Sequence, residues 1–222
     1  MLNLKMKNLA KTFLTQTEQE KIKAAVTQAE SRTSGEIVPL VASASYHYPV
    51  ADILGGATLA FPVSIILTPL VSGFFWTDPR NMWVFICLFI VLFGLSYIIT
   101  KHIPWLKRLF ISSHEYDAEV REASLTSFYK NRLYETRDRT GVLLFISVFE
   151  RKVWILADSG IDGKLTEKPW QGIVDNVIQG IKRGEQCAAI CEAVLQIGKT
   201  LQTHFPRKPD DTDELKNLMI SE

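Results

Sequence analysis

The sequence contains few cysteines, few histidines and no excess of charge of either sign. Its 222 residues include 3 cysteines and 4 histidines, and 25 Lys and Arg side chains are balanced by 24 Asp and Glu side chains. Three cysteines do not make a disulfide framework. Cys187 and Cys191 share one face of a predicted helix, and we interpret them as buried apolar side chains rather than metal ligands. Without a basic face to neutralise phosphates, the chain is not expected to bind nucleic acid.

The chain also lacks the short motifs that mark several large enzyme classes. It contains no glycine-rich phosphate loop, no G-x-S-x-G elbow and no H-E-x-x-H helix. The N-terminal stretch MLNLKMKNLAKTFL scatters its lysines among apolar residues and shows no cleavage site, so we do not expect a cleaved signal peptide. These absences argue against the enzymes that depend on those motifs.

Two long stretches of the chain, Ile53–Thr77 and Asn81–Thr100, contain no charged residue. A helix needs about 20 apolar residues to cross the hydrocarbon core of a bilayer. The sequence therefore predicts transmembrane helices over about 53–73 and 81–100. Gly56 and Ala60 form a small-xxx-small pair, which predicts close packing of the second helix against the first.

The two predicted membrane helices form a hairpin, because only a few residues around Asp78 and Arg80 separate them. Both soluble flanks then lie on the same side of the membrane. The flank after the hairpin is the more basic one, with Lys101, Lys107 and Arg108. By the positive-inside rule, both termini are expected to be cytoplasmic, in a multi-pass protein of the bacterial inner membrane.

The remaining sequence predicts one small soluble domain that the hairpin interrupts. Thr15 and Glu18 form a capping box that opens a helix, which ends near Arg32 and leads into the strand EIVPLVAS. After the membrane, Ser112 caps a second helix, and GVLLFISV reads as a central strand covered on both faces. The link to the next strand, VWILAD, is too short for a parallel crossover, so these two strands form an antiparallel hairpin.

Two more amphipathic helices follow, the first of which stops at Gly184. This order of elements predicts the α/β class, an α/β/α sandwich with a small mixed sheet interrupted by a two-helix transmembrane hairpin. Residues 1–49 form the first part of the soluble domain and residues 50–108 form the hairpin. Residues 109–206 complete the domain, and residues 207–222 are an acidic C-terminal tail.

Acidic residues at the ends of the predicted strands are the candidate functional residues. Asp138 precedes the central strand, Asp158 ends its neighbour, and Asp162 and Glu167 follow in the next loop. Close carboxylates repel one another unless a cation neutralises them, so convergence of these loops would favour a Ca²⁺ site. Ordinary solvated carboxylates, paired with interleaved cations such as Arg139, are the alternative.

Three stretches resemble the TPM-domain family, in particular its bacterial membrane branch with a transmembrane pair after the first strand. They are SRTSGEIVPLV, RTGVLLFISVFERKVWILADSGI and the pattern W-x-x-I-V…HFP near the C-terminus. The resemblance implies an α/β/α sandwich. The family includes a thylakoid-lumen protein proposed to be an acid phosphatase and to bind Ca²⁺. Asp162 matches the acidic residue of the family's G-x-G-x-E pattern and Glu167 a later acidic position, whereas Asp158 replaces the first glycine.

Two functions follow from these observations. The first is a non-enzymatic binding or accessory module, held at the cytoplasmic membrane surface by contact with the lipid bilayer and bound to a membrane protein partner that the sequence does not name. The alternative is a divalent-metal-dependent phosphatase that uses the acidic loop. Phosphoryl transfer needs charge stabilisation and a nucleophile as well as a metal, which favours the first function.

Overall fold

The computed structural model describes residues 8–74, 81–162, 170–208 and 214–221. Within them the chain forms two compact units. The first unit contains the stretches up to Tyr46 and from Tyr116 onward, and the second is His47–Glu115.

The helices follow one another in a simple order along the chain. They are α1 (Leu9–Phe13), α2 (Gln16–Glu30), α3 (Pro49–Phe74), α4 (Met82–His102), α5 (Pro104–Arg108), α6 (Ser113–Lys130), a 3-10 turn (Leu133–Glu135), α7 (Ser159–Asp162), α8 (Trp170–Lys182) and α9 (Gln186–His204). The predicted capping box is confirmed, since Glu18 accepts hydrogen bonds from the Thr15 backbone N–H at 2.8 Å and hydroxyl at 2.9 Å.

The first unit is built on a four-stranded mixed sheet. Its strands are β1 (Glu36–Ala42), β2 (Gly141–Ser147), β3 (Lys152–Ala157) and β4 (Met219–Ser221), in the spatial order β3-β2-β1-β4. β1 is parallel to both β2 and β4, whereas β2 and β3 pair antiparallel as the short link between them predicted. The sequence-based division had assigned β4 to the acidic tail. A three-residue strand is too short to show a hydrophobic period, which is why the sequence did not reveal it.

A proline occupies the middle of β1, which is one of the two central strands of the sheet. Prolines are normally excluded from such positions because they donate no ladder hydrogen bond. The Glu36 N–H points toward β2 and donates to the carbonyl of Thr140, so by alternation position 39 faces the other side. There β4 pairs only from Leu40 onward. The missing N–H of Pro39 therefore falls just before β4 begins, where no strand requires it.

The two faces of the sheet are covered unequally. One face packs a large apolar cluster against α1, α2, α8 and α9, with Ile22, Val177 and Val194 fully buried. The other face packs a smaller cluster, in which Val120 and Phe128 of α6 meet strand residues. A helix is about 10 Å wide and strands are about 4.8 Å apart, so one helix leaves part of a four-stranded sheet uncovered. Among the described residues, α6 is the one long helix on this face.

The second unit contains two helices long and apolar enough to cross a membrane, Pro49–Phe74 and Met82–His102. A Cβ placed on Gly56 would lie 3.3 Å from the Cα of Tyr97, so the predicted close contact between the helices is confirmed. Small side chains continue this contact along α3 and are buried at Ala60, Ser64, Thr68 and Ser72. Most of the exposed large apolar side chains of the described residues lie on α3 and α4.

A buried ion pair lies within the second unit. Lys107 and Asp52 are 2% and 4% exposed, and the lysine Nζ lies 3.0 Å from each carboxylate oxygen of Asp52. The same Nζ donates a hydrogen bond to the carbonyl of His47. Lys107 is thus paired with Asp52 inside the second unit.

Candidate binding groove and acidic loops

The uncovered part of the sheet forms a groove of about 800 Å³ between α6 and β4. Its floor is apolar, with Leu40, Ala42 and Phe145 from the central strands and Met219 from β4. Leu40 and Met219 are direct cross-strand partners and therefore point to the same face of the sheet. This volume is within the range of ordinary ligand sites in proteins.

One face of α6 forms the wall of the groove. Its lining residues are Glu119, Glu122, Ala123, Thr126, Ser127 and Lys130. Their spacing alternates between three residues and one, which is the period of a single helical face. The middle of that face carries only small side chains, at Ala123, Thr126 and Ser127, and these leave the groove its depth.

The groove ends beside a hydrogen-bonded cluster at the carboxyl ends of β1 and β2. The Ser45 hydroxyl donates to the Ser147 hydroxyl at 3.1 Å, and that hydroxyl donates to the buried carboxylate of Glu150. The other oxygen of this carboxylate accepts the Ser45 backbone N–H at 2.9 Å. Ligands of open α/β sheets bind outside the carboxyl ends of parallel strands, and Ser45 and Tyr46 line the groove at this edge.

The loops with the predicted acidic residues meet at the opposite end of the sheet. Gly160 packs against the loop before β2, and a Cβ placed on it would lie 2.5 Å from the carbonyl oxygens of both Asp138 and Arg139. The convergence of the loops that carry Asp138 and Asp158 is therefore present. The side chain of Asp162, and Glu167 as a whole, lie outside the described residues.

The two described acids differ in their surroundings. The Asp138 carboxylate lies 2.6 Å from Nζ of Lys208 in an exposed ion pair. Asp158 is 7% exposed, and its Oδ1 accepts hydrogen bonds from the backbone N–H and the hydroxyl of Ser159. Its buried Oδ2 has no hydrogen-bond partner among the described residues. An orphaned buried carboxylate oxygen is costly and calls for a donor or a cation.

The described residues contain no group of three or more His, Cys, Asp and Glu side chains arranged to hold a metal ion. Cys187 and Cys191 are partly buried and pack against the larger core cluster. Burial, together with the neighbouring Cys187, raises the pKa of the Cys191 thiol to about 11. The thiol therefore stays protonated at neutral pH and is a poor metal ligand.

Sequence reasoning found the acidic loops but not the groove. The groove depends on β4, which no periodic pattern marks, and on the small residues of α6, which are typical of a core-facing stripe. A usable signal was present in the residue types, because Thr126 and Ser127 are polar where a helix that packs fully against a sheet carries large apolar side chains.

The comparisons with known proteins concern the fold of this chain. A family model described as the TPM domain matches residues 108–200. Among solved structures the chain is similar to the BA42 protein of the psychrophilic bacterium Bizionia argentinensis, with 19% sequence identity and a TM-score of 0.58. That alignment covers 94% of this chain and 96% of the other. No curated protein matches the chain.

Proposed function

From the TPM domain that this chain carries, we propose that the protein is a membrane-anchored, non-enzymatic binding module. In this proposal α3 and α4 span the bacterial inner membrane, and the TPM domain stands on the cytoplasmic side. Its groove between α6 and β4 holds a segment of a membrane protein partner.

The groove is the observation that carries this proposal. It combines an apolar floor with polar walls and a volume of about 800 Å³, which are features of a recognition site. The apolar outer surfaces of α3 and α4 support the tether. Ile66, Leu70 and Ile90 are each more than 60% exposed, and each side chain would cost about 1.5–3 kcal/mol to keep in water.

The cytoplasmic placement rests on the basic flank after α4. Lys101, Lys107 and Arg108 oppose Arg80 alone, and cytoplasmic flanks carry an excess of basic residues. A cysteine introduced at Asp78 is expected to react with an impermeant maleimide added to whole spheroplasts, whereas one added after Glu222 is not. Labelling of the C-terminal cysteine alone would invert the topology.

Site-specific crosslinking tests the binding function. A photoreactive amino acid at Thr126, an exposed position on the groove wall, is expected to crosslink a defined partner in native membranes. The same amino acid at Ala118, an exposed position of α6 that does not line the groove, serves as the matched control. Equal crosslinking patterns from the two positions would show that the groove is not the binding surface.

A divalent cation at Asp158 is the second candidate function, supported by the buried Oδ2 of that residue. Ca²⁺ binds carboxylate and carbonyl oxygens, and the carbonyls of Asp138 and Arg139 converge on the adjacent Gly160. Millimolar Ca²⁺ is expected to raise the melting temperature of the full chain, and Asp158→Asn to abolish the rise. Asp175→Asn, on the exposed face of α8, is the control. An unchanged melting temperature in the unsubstituted protein would leave Asp158 a structural carboxylate.

A further inference from the structure

Charges of opposite sign line the two ends of the groove between α6 and β4. Glu119 and Glu122 are the most N-terminal of the α6 residues that line the groove, whereas Lys130 lies at the C-terminal end of the helix. α6 leads through the 3-10 turn to the start of β2, so its C-terminal end is the one nearer the amino ends of the parallel strands. The groove therefore has an acidic end at the carboxyl edge of the sheet.

A second lysine strengthens the basic end. Lys216 precedes β4, and it lines the groove together with Lys130 and Asn131. Lys216 and Asn131 also share the adjoining hollow, which places the start of β4 near the end of α6. The acids of that hollow already have partners, because Glu135 lies 3.6 Å from Arg132 and Glu214 accepts the backbone N–H of Arg137.

The separation of the two ends follows from the helix itself. A helix rises about 1.5 Å per residue, so Lys130 lies about 12 Å from Glu122 and about 16 Å from Glu119 along α6. An extended chain rises about 3.3 Å per residue, so four to five residues of a peptide cover the same distance. Between the ends, the floor of Leu40, Phe145 and Met219 is apolar and suits apolar side chains.

We infer that the groove binds an extended peptide segment that carries two opposite charges. A basic side chain of the peptide lies at the end beside Glu119 and Glu122. An acidic side chain, four to five residues away, lies at the end beside Lys130 and Lys216. This inference rests on the proposed binding function and adds the chemistry of the ligand. The residues between the two charges are apolar where they face the floor. A zwitterionic lipid headgroup fits less well, because an ethylene bridge holds its amine and phosphate much closer together than the charges of the groove.

Selection from a random heptapeptide library displayed on phage tests the inference, with the full chain immobilised in nanodiscs. The unsubstituted protein and Ala118→Trp are expected to retain peptides with the two opposite charges at this spacing. Thr126→Trp, which fills the groove from an exposed position, is expected to lose them. Synthetic versions of the selected peptides then provide affinities.

Charge exchange gives the decisive measurement. Glu122→Gln and Lys130→Gln are each expected to weaken a selected peptide about two- to five-fold, the usual effect of a solvent-exposed ion pair. The double variant Glu122→Lys/Lys130→Glu keeps the net charge of the protein. It is expected to bind that peptide more weakly than either single variant and to prefer a peptide with its two charged residues exchanged.

The other outcomes distinguish the inferred charge pattern of the peptide from the proposed binding function. Selected peptides that share no charge pattern, or that bind the exchange variant equally well, would overturn the charge inference while the binding module stands. Failure to select any peptide that Thr126→Trp loses would overturn both. Displacement of the selected peptides by phosphatidylethanolamine vesicles, but not by phosphatidylglycerol vesicles, would identify a lipid headgroup as the occupant and overturn the peptide assignment.

Discussion

Replacing Gly160 with alanine tests the contact between the two acidic loops. The new Cβ would lie 2.5 Å from the carbonyl oxygens of both Asp138 and Arg139, roughly 1 Å short of ordinary van der Waals contact. Relief requires movement of backbone, because neither obstacle is a flexible side chain. That movement would stretch the 3.1 Å hydrogen bond from the Gly160 N–H to the Arg139 carbonyl. Overpacking of this kind costs about 1–3 kcal/mol.

A second glycine provides a control with the opposite sign. A Cβ on Gly172, an exposed residue of α8, would meet nothing within 4 Å. Alanine there removes the conformational freedom of glycine from the unfolded chain and is expected to stabilise the protein by about 0.5–1 kcal/mol.

Thermal unfolding of the full chain in detergent, followed by tryptophan fluorescence at one scan rate, measures both effects. At about 2–4 °C per kcal/mol, Gly160→Ala is expected to lower the melting temperature by about 2–12 °C. Gly172→Ala is expected to raise it by about 1–4 °C. Melting temperatures that shift equally and in the same direction for both variants would refute the argument that the loop before β2 holds Gly160 in place.

Three further predictions concern the hairpin, the N-cap of α2 and the split domain. Ile90→Lys, in the centre of α4, is expected to cost about 3 kcal/mol in a translocon insertion assay, and undiminished insertion would count against a spanning helix. Thr15→Ala is expected to cost about 1 kcal/mol. The hydrogen bonds from the Thr15 backbone N–H and hydroxyl lower the pKa of Glu18 from 4.5. Their stabilisation is therefore present above about pH 4.5 and is lost as the pH falls through the lower pKa of the folded state. Acid titration of both proteins, monitored by circular dichroism, should show a shallower loss of stability for the variant. Residues 110–222 expressed alone are expected to melt without cooperativity, because β1 lies between β2 and β4 and would be missing. Joining residues 1–48 to them through a flexible linker should restore a sharp transition. Equally sharp melting of the two proteins would show that residues 1–48 are dispensable for folding.

Periodic patterns predicted the elements whose length made the pattern visible. The capping box of Thr15 and Glu18, the apolar hairpin, and the antiparallel pairing of β2 and β3 each depend on residues close together in sequence. β4 could not be found in this way, because three residues contain too few alternations to distinguish a strand from a tail. Its pairing with β1 joins residues nearly 180 positions apart, and local sequence carries no record of such a contact.

The partners of the acidic side chains were also not predictable from local sequence. Chain topology correctly placed the loops of Asp138 and Asp158 together, because an antiparallel neighbour ends where the central strand begins. Whether each carboxylate stays available depends on partners brought from elsewhere in the chain. Lys208, which pairs with Asp138, is 70 residues away in sequence. The Lys107–Asp52 pair was equally hidden, since its partners lie 55 residues apart.

The two neighbours of β1 divide the amides along this part of the chain into classes that hydrogen exchange can distinguish. Alternate amides of this strand, beginning with Glu36, face β2, a seven-residue neighbour, and should exchange only when the whole sheet opens. The Ser43 amide instead donates to the carbonyl of Ser221 in the three-residue strand β4, and local opening of that short strand would release it. Neighbouring positions of one strand should therefore exchange at widely different rates. The slow amides report on global unfolding, and the fast ones report on the detachment of the strand that closes the groove.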